Sequence, residues 1–365
     1  MSRKNKNIFL DTNALIYLYQ IEFKKNRTKM YVDGVPLLES DYINYLKNNG
    51  KILIFCSDSY YEFICHCFKN NCEKDFLEFY NFINSFCKEN YKSLPLIIGT
   101  EDYYKFDTNK FALDFDNNKV DYKSYVNERV MAEVKLLKNL YIPIISTIKE
   151  LLKKKYPTIE LYEENDGEMV ELLDNCTKDM FLDYYTKKDS DLDGNKCVNI
   201  PVGIVIEKYC NINHCNYTTV SQMLENQNNF DICRCIKFFL EEVLKPKGQN
   251  YKISHKTFYD AFCETTKQCR KRSDEIVLYD YIDYLTKEML FKTNRKLRKN
   301  DIVDMSIIST IFINLNNFTD CEDNVFINFD KNIREFIKEK SVNSQLNNDL
   351  YNKLSLFSTK MLNDD

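Results

Sequence analysis

The 365-residue sequence predicts an α/β fold in which a parallel sheet flanked by helices is interrupted by a large, mostly α-helical insertion. Three observations predict it. Short, continuous apolar runs recur toward both ends of the chain, as IFL at Ile8–Leu10, KILIF at Lys51–Phe55 and VFINF at Val325–Phe329. Helical patterns follow them, and strands buried on both faces with helices between them make a parallel sheet. From about Tyr122 to Thr293 the apolar residues fall mostly at helical spacing.

In order along the chain, Ile8–Leu10 is the first strand and Ala14–Tyr19 continues as a helix. KILIF is the second strand, followed by the helical SYYEFICHCF, and LPLII at Leu94–Ile98 is a third. The middle carries the helical segments VNERVMAEVKLLKNLY, EMVELLDNCTKDMFLDYY, DICRCIKFFLEEVL and DEIVLYDYIDYLTKEML, with a polar loop at Asp189–Asn195 that lacks the glutamate of a calcium-binding EF-hand. A helix from about Asp301 to Asn314, the strand VFINF, the helix KNIREFIKEK and a terminal helix at Leu350–Met361 complete the chain. One domain made of residues 1–90 and 294–365, with residues 91–293 inserted, explains this pattern better than two tandem domains.

Composition bounds the function. Hydrophobic residues are 44% and charged residues 29%, a globular composition. Apolar stretches such as LYIPII and VGIVI are too short to span a bilayer, and Asp11 interrupts the first apolar run too early for a signal-peptide core. A cytoplasmic protein with no membrane partner is expected. The net charge of −4 excludes a generally basic nucleic-acid coat but leaves room for a local basic groove. In the cytosol the 14 cysteines stay reduced. The clusters Cys65, His66, Cys67, Cys72 and Cys210, His214, Cys215 lack the paired spacing of zinc fingers, so cysteine is read as a small buried hydrophobe. His255 has no nucleophile beside it, which argues against Ser-His or Cys-His chemistry.

Four acids occupy equivalent places. Asp11 follows the first strand and Asp330 the last, Glu62 lies in about the first turn of the helix after the second strand, and Asp304 lies in the first turn of its helix. In an open parallel sheet, ligands bind where strands end and helices begin. Each acid also has a structural explanation. Asp11 and Asp330 suit turns or helix starts, Glu62 completes a capping box with Ser59, and Asp304 suits a helix N-terminus with Asp301 or Asn300 as the cap. Those explanations do not require all four at one sheet edge. Converging carboxylates repel one another unless a cation is present, and hard oxygen ligands select Mg²⁺ or Mn²⁺. Such a cluster suits hydrolysis of phosphate esters.

IFLDTNALI resembles the opening motif of the PIN domain family of metal-dependent nucleases, which includes toxins of toxin–antitoxin pairs. DMSIISTIF is similar to its third acidic motif, VFINFDKNI to its closing motif, and SYYEFI to the helix that supplies its glutamate. The resemblance covers the two ends of the chain. It departs in the long interval between Glu62 and Asp304 and in Asn328, which stands where the family often has Thr or Ser. It implies Asp11, Asp304 and Asp330 as metal ligands, Glu62 as completing the acidic site, and Thr12 and Asn13 as orienting Asp11, with a helix start explaining these two equally well. It further implies an endoribonuclease that leaves a 5′-phosphate and a 3′-hydroxyl, with a toxin or defence role left open.

A flap-type or single-strand DNA nuclease, and a non-catalytic PIN scaffold that binds RNA or protein, are the alternatives. A haloacid-dehalogenase-type phosphatase would need a second Asp where Asn13 stands. RNA is favoured over DNA as the partner. The basic run RKLRK, with Arg295, Lys296, Arg298 and Lys299, is the expected phosphate contact, beside CRKRS at Cys269–Ser273 and KKNRTK at Lys24–Lys29. The insertion is open to substrate, an inhibitor protein or a second subunit.

Overall fold

The structure is a computed structural model. It describes residues 6–23, 29–99, 119–155, 253–270, 273–292, 297–318, 323–343 and 348–362, with Asp114, Asn117 and Arg295 between them. The predicted helices EMVELLDNCTKDMFLDYY and DICRCIKFFLEEVL, the Asp189–Asn195 loop and the Cys210–Cys215 cluster lie outside the described residues.

Two compact units are formed, one from Met1–Arg129 with Ser306–Asp365, the other from Val130–Met305. Both divisions fall within helices, Tyr122–Lys155 and Lys299–Asn314, rather than at residues 90/91 and 293/294.

The first unit holds a five-stranded, all-parallel sheet in the order β5-β4-β1-β6-β7. Its strands are β1 (Lys6–Leu10), β4 (Gly50–Cys56), β5 (Leu96–Ile98), β6 (Asp323–Ile327) and β7 (Ser355–Leu356). Helices α1 (Thr12–Glu22), α2 (Glu39–Asn49), α3 (Ser57–Lys69) and α4 (Glu73–Tyr91) flank it, together with Lys331–Asn343. β1 is central, and Ile8, Phe9 and Leu10 are wholly buried, as are Leu53–Phe55 of β4 and Val325–Ile327 of β6. Each such side chain contributes about 1.5–3 kcal/mol by leaving water, which is why runs without alternation become inner strands. Gly50 opens β4 where a Cβ would meet Tyr91 Cε1 at 2.7 Å, so a side chain is excluded by close approach.

Two elements between α1 and β4 were not expected from sequence. One is α2, and the other is a hairpin of β2 (Tyr31–Val32) and β3 (Val35–Pro36). The terminal helix at Leu350–Met361 is corrected. A short helix, Asn348–Tyr351, gives way to β7, which pairs with Val325–Phe326 on the sheet edge. Phe357 N then donates to Phe326 O at 3.0 Å and the Phe357 ring is buried, so sheet pairing wins over helical spacing.

Arg129 and Asp58 are both fully buried in this unit. Arg129 Nη1 donates to the Asp58 carbonyl at 3.0 Å and lies 3.8 Å from its carboxylate. Removing one partner of a buried ion pair costs about 3–5 kcal/mol. Arg129→Met is therefore expected to lower the melting temperature by about 10 °C. A thermal melt within a degree of wild type would show that the pair contributes nothing.

The second unit is helical among its described residues: the rest of Tyr122–Lys155, then His255–Cys269, Ser273–Phe291 and the start of Lys299–Asn314. Tyr122–Lys155 runs through Pro143, and Thr147 Oγ1 donates to the Pro143 carbonyl at 2.8 Å. Arg270, from the predicted basic run CRKRS, pairs instead with Asp280 and Asp283. Among the described residues no helix is long and apolar enough to cross a membrane.

Candidate acidic site

At the carboxyl edge of the sheet, Asp11 N donates to Ile327 O at 3.2 Å, so the β1–β6 ladder ends on the acid itself. Asp11 caps α1, its Oδ1 accepting from Ala14 N at 2.8 Å. Its Oδ2 accepts from Asn328 Nδ2 at 2.5 Å. The Asn328 Oδ1 accepts in turn from Asp330 N at 2.7 Å. One fully buried amide thus joins Asp11 to Asp330. Asp330 caps the Lys331–Asn343 helix, its Oδ1 accepting from Asn332 N at 2.6 Å and Ile333 N at 3.3 Å. Both acids perform the capping that their positions suggested, and both remain at the strand ends.

Aromatic rings exclude water from Asp11. Tyr17, Tyr42 and Phe329 pack together, with ring centroids 5.3–6.1 Å apart, and Tyr42 Oη donates to the Ala14 carbonyl at 3.0 Å. Burial pushes the Asp11 carboxyl up to about 8, with the nearby charges of Asp330 and Glu62 adding to it and the amides of Ala14 and Asn13 opposing it. The hydroxyl of Tyr42 is itself held well above its ordinary range, by burial and then by Asp11.

Glu62 is half-buried on α3 and within electrostatic reach of Asp11. The capping box expected at Ser59–Glu62 does not form, because α3 starts at Ser57, directly after β4, and both residues lie inside the helix. Thr12 is buried and the Asn13 side chain is exposed. Asn13 holds Asp11 through its backbone amide, and the side chain that orients the carboxyl is that of Asn328.

Asp304 belongs to the second unit. It is buried, and Tyr281 Oη donates to its Oδ2 at 3.5 Å. Its helix begins at Lys299, which places Asp304 in the second turn rather than the first. Asp301 explains the early start, because its Oδ2 accepts from Arg298 N at 2.6 Å, the backward half of a capping box. Its Oδ1 accepts from Arg295 Nη2 at 2.6 Å in a pair whose side chains are 12% and 2% exposed. Arg295 is thereby corrected from a phosphate contact to the partner of Asp301. Arg298 is exposed, while Lys296 and the side chain of Lys299 lie outside the described residues.

No family model, curated protein or solved structure matches the chain.

Among the described residues, no three Asp, Glu, His or Cys side chains form a ready-made metal cage. The donors nevertheless suit a hard cation. They are all carboxylates, and a divalent ion would offset the burial and repulsion that push the Asp11 carboxyl up.

Cys65 and Cys67 are buried and His66 exposed on α3, so the three do not share a face. Asn328 and the aromatic wall were missed by sequence reasoning. The one signal was the Asn before Asp330 in VFINFDKNI, at a position where a side-chain hydrogen-bonding group recurs in the resembled family.

Proposed function

We propose that the protein is a PIN-like, Mg²⁺- or Mn²⁺-dependent endoribonuclease. The observation that carries this is the pair of acids, Asp11 and Asp330, joined by Asn328 just past the ends of neighbouring parallel strands. Such an edge is where open parallel sheets bind ligands. Asp11 and Asp330 would hold the cation, and Asp304 is retained as an acid of the DMSIISTIF motif on the resemblance alone. A divalent ion there supplies neutralisation of phosphate charge and activation of the attacking water.

The chain's own groups do the rest. Asn328 fixes the orientation of Asp11 and the backbone of Asp330. The aromatic wall keeps bulk water from the buried carboxyl. Glu62, half-exposed, takes up the proton released by the incoming water.

The test is incubation of purified protein with labelled RNA and DNA panels. RNA cleavage is expected with Mn²⁺, none with EDTA, and recovery on adding Mn²⁺. Undiminished cleavage in EDTA would point to a different chemistry, and cleavage of DNA alone would move the assignment to a DNA nuclease.

A further inference from the structure

We propose that the β2–β3 hairpin is the platform on which a single-stranded nucleic acid docks beside the acidic edge, with Tyr31 stacking on a base. This rests on the nuclease function proposed above and names the substrate form that its site takes. The hairpin is short, and two strands of two residues each are not stable by themselves. Its turn places Asp33 and Gly34 in the left-handed region, at φ 51° and 82°. Two cations hold that turn: Arg334 Nη2 and Lys338 Nζ each donate to the Asp33 carboxylate at 2.8 Å. They also hold the Asp33 carboxyl below its ordinary range, the Lys338 hydrogen bond first, against the opposing effect of burial.

Arg334 sets the position. Its Nη1 donates to the carbonyl of Asn328 at 3.2 Å and to that of Phe357 at 2.9 Å. The same Asn328 holds Asp11. The hairpin tip therefore lies one guanidinium away from the residue that orients the acid, and Arg334, itself buried, fixes the distance.

What the hairpin presents is unusual for a surface turn. Tyr31 is 53% exposed, Val35 47% and Leu38 61%, although Val32 beside them is buried. Exposed cations lie on the same elements: Lys29 two residues before Tyr31, Lys338 on the Asp33 carboxylate, and Lys331, paired with Glu335, directly after Asp330. An exposed aromatic ring on an element that also carries exposed cations is the chemistry that binds single strands, because every base has a face to stack and every linkage a charge. A duplex keeps its bases stacked on one another and offers Tyr31 nothing.

The test is fluorescence anisotropy in EDTA with a short labelled single strand of mixed sequence, run as RNA and as DNA, beside the same sequence annealed to its complement. Tyr31→Ala is expected to weaken single-strand binding about tenfold, within the span measured for base–aromatic stacking. Tyr31→Phe should bind as wild type, and the duplex should not respond to either change. With metal, Tyr31→Ala should raise KM for cleavage and leave kcat unchanged. Unchanged single-strand affinity in Tyr31→Ala, or an equal loss on the duplex, would overturn the platform. If wild type binds single strands through Tyr31 but cleaves none with any metal, the platform stands and the nuclease assignment fails.

Discussion

Asp11→Asn is expected to abolish cleavage while leaving the protein folded. Asn caps helices as well as Asp does, so the bond from Ala14 N survives. The new amide then faces Asn328 Nδ2, and Asn328 cannot turn away without setting its own NH₂ against Asp330 N. One hydrogen bond is lost, about 1 kcal/mol. That loss is offset by removing a carboxyl whose burial is costly.

Activity has no such compensation. A neutral amide forfeits the charge that a divalent ion needs, and losing several kcal/mol of transition-state stabilisation lowers the rate by about three orders of magnitude or more. Purified variant turning over at the wild-type rate, with a normal melt, would sink the assignment of Asp11.

The same carboxyl makes a pH test. Its value in the fold, about 8, lies above the ordinary 3.8, so the stability it contributes is complete below 3.8 and lost as pH rises through about 8. Melts of metal-free wild type should fall across that window and those of Asp11→Asn should fall less.

Asp304→Asn and Asp301→Ala are expected to fail in opposite ways. The two carboxyls are three residues apart on one helix and both buried. Asp301 is spent on structure. It holds Arg295 and caps Arg298, and its loss strands a guanidinium that is 12% exposed. A penalty of about 3 kcal/mol follows, or about 6–12 °C in melting temperature, with activity retained below that transition. Asp304 receives a 3.5 Å bond from Tyr281 and stands in the motif that resembles an acidic nuclease motif. Its amide should keep the fold and cost orders of magnitude in rate. A stable, inactive Asp301→Ala beside an active Asp304→Asn would move the third acid by one helical turn.

The inner strands were legible because burial on both faces leaves apolar runs such as IFL and KILIF. VFINF is broken by Asn328, and its strand runs Asp323–Ile327 rather than Val325–Phe329 because Asn328 turns to the acids instead of the sheet. The acids at their ends were legible because polar residues stop those runs abruptly. The hairpin was not, since its strands of two residues are too short to show a period. The run at Leu350–Met361 misled because its apolar spacing suits a helix, while the open edge of β6 captured it as β7. Asn328 stood out as a departure from the resembled motif, but its role in orienting Asp11 was not legible because that role depends on β1 and β6 lying side by side, a contact between distant segments. Arg295 was misjudged for the same reason in reverse: a run of basic residues reads as surface until one of them finds a buried carboxylate.

The pairing of β1 with β6 spans 317 positions, as the bond between Asn7 and Asn324 records. At a ribosomal pace of about 5–20 residues per second, the strand at the centre of the sheet waits about 15–60 s for its second neighbour. Throughout that interval one edge of β1 has nothing native to pair with, and open strand edges are what chaperones shield. A growing chain has neither Asn328 to orient Asp11 nor Asp330 to stand beside it, so the nuclease proposed above would be inert until its last inner strand has been made.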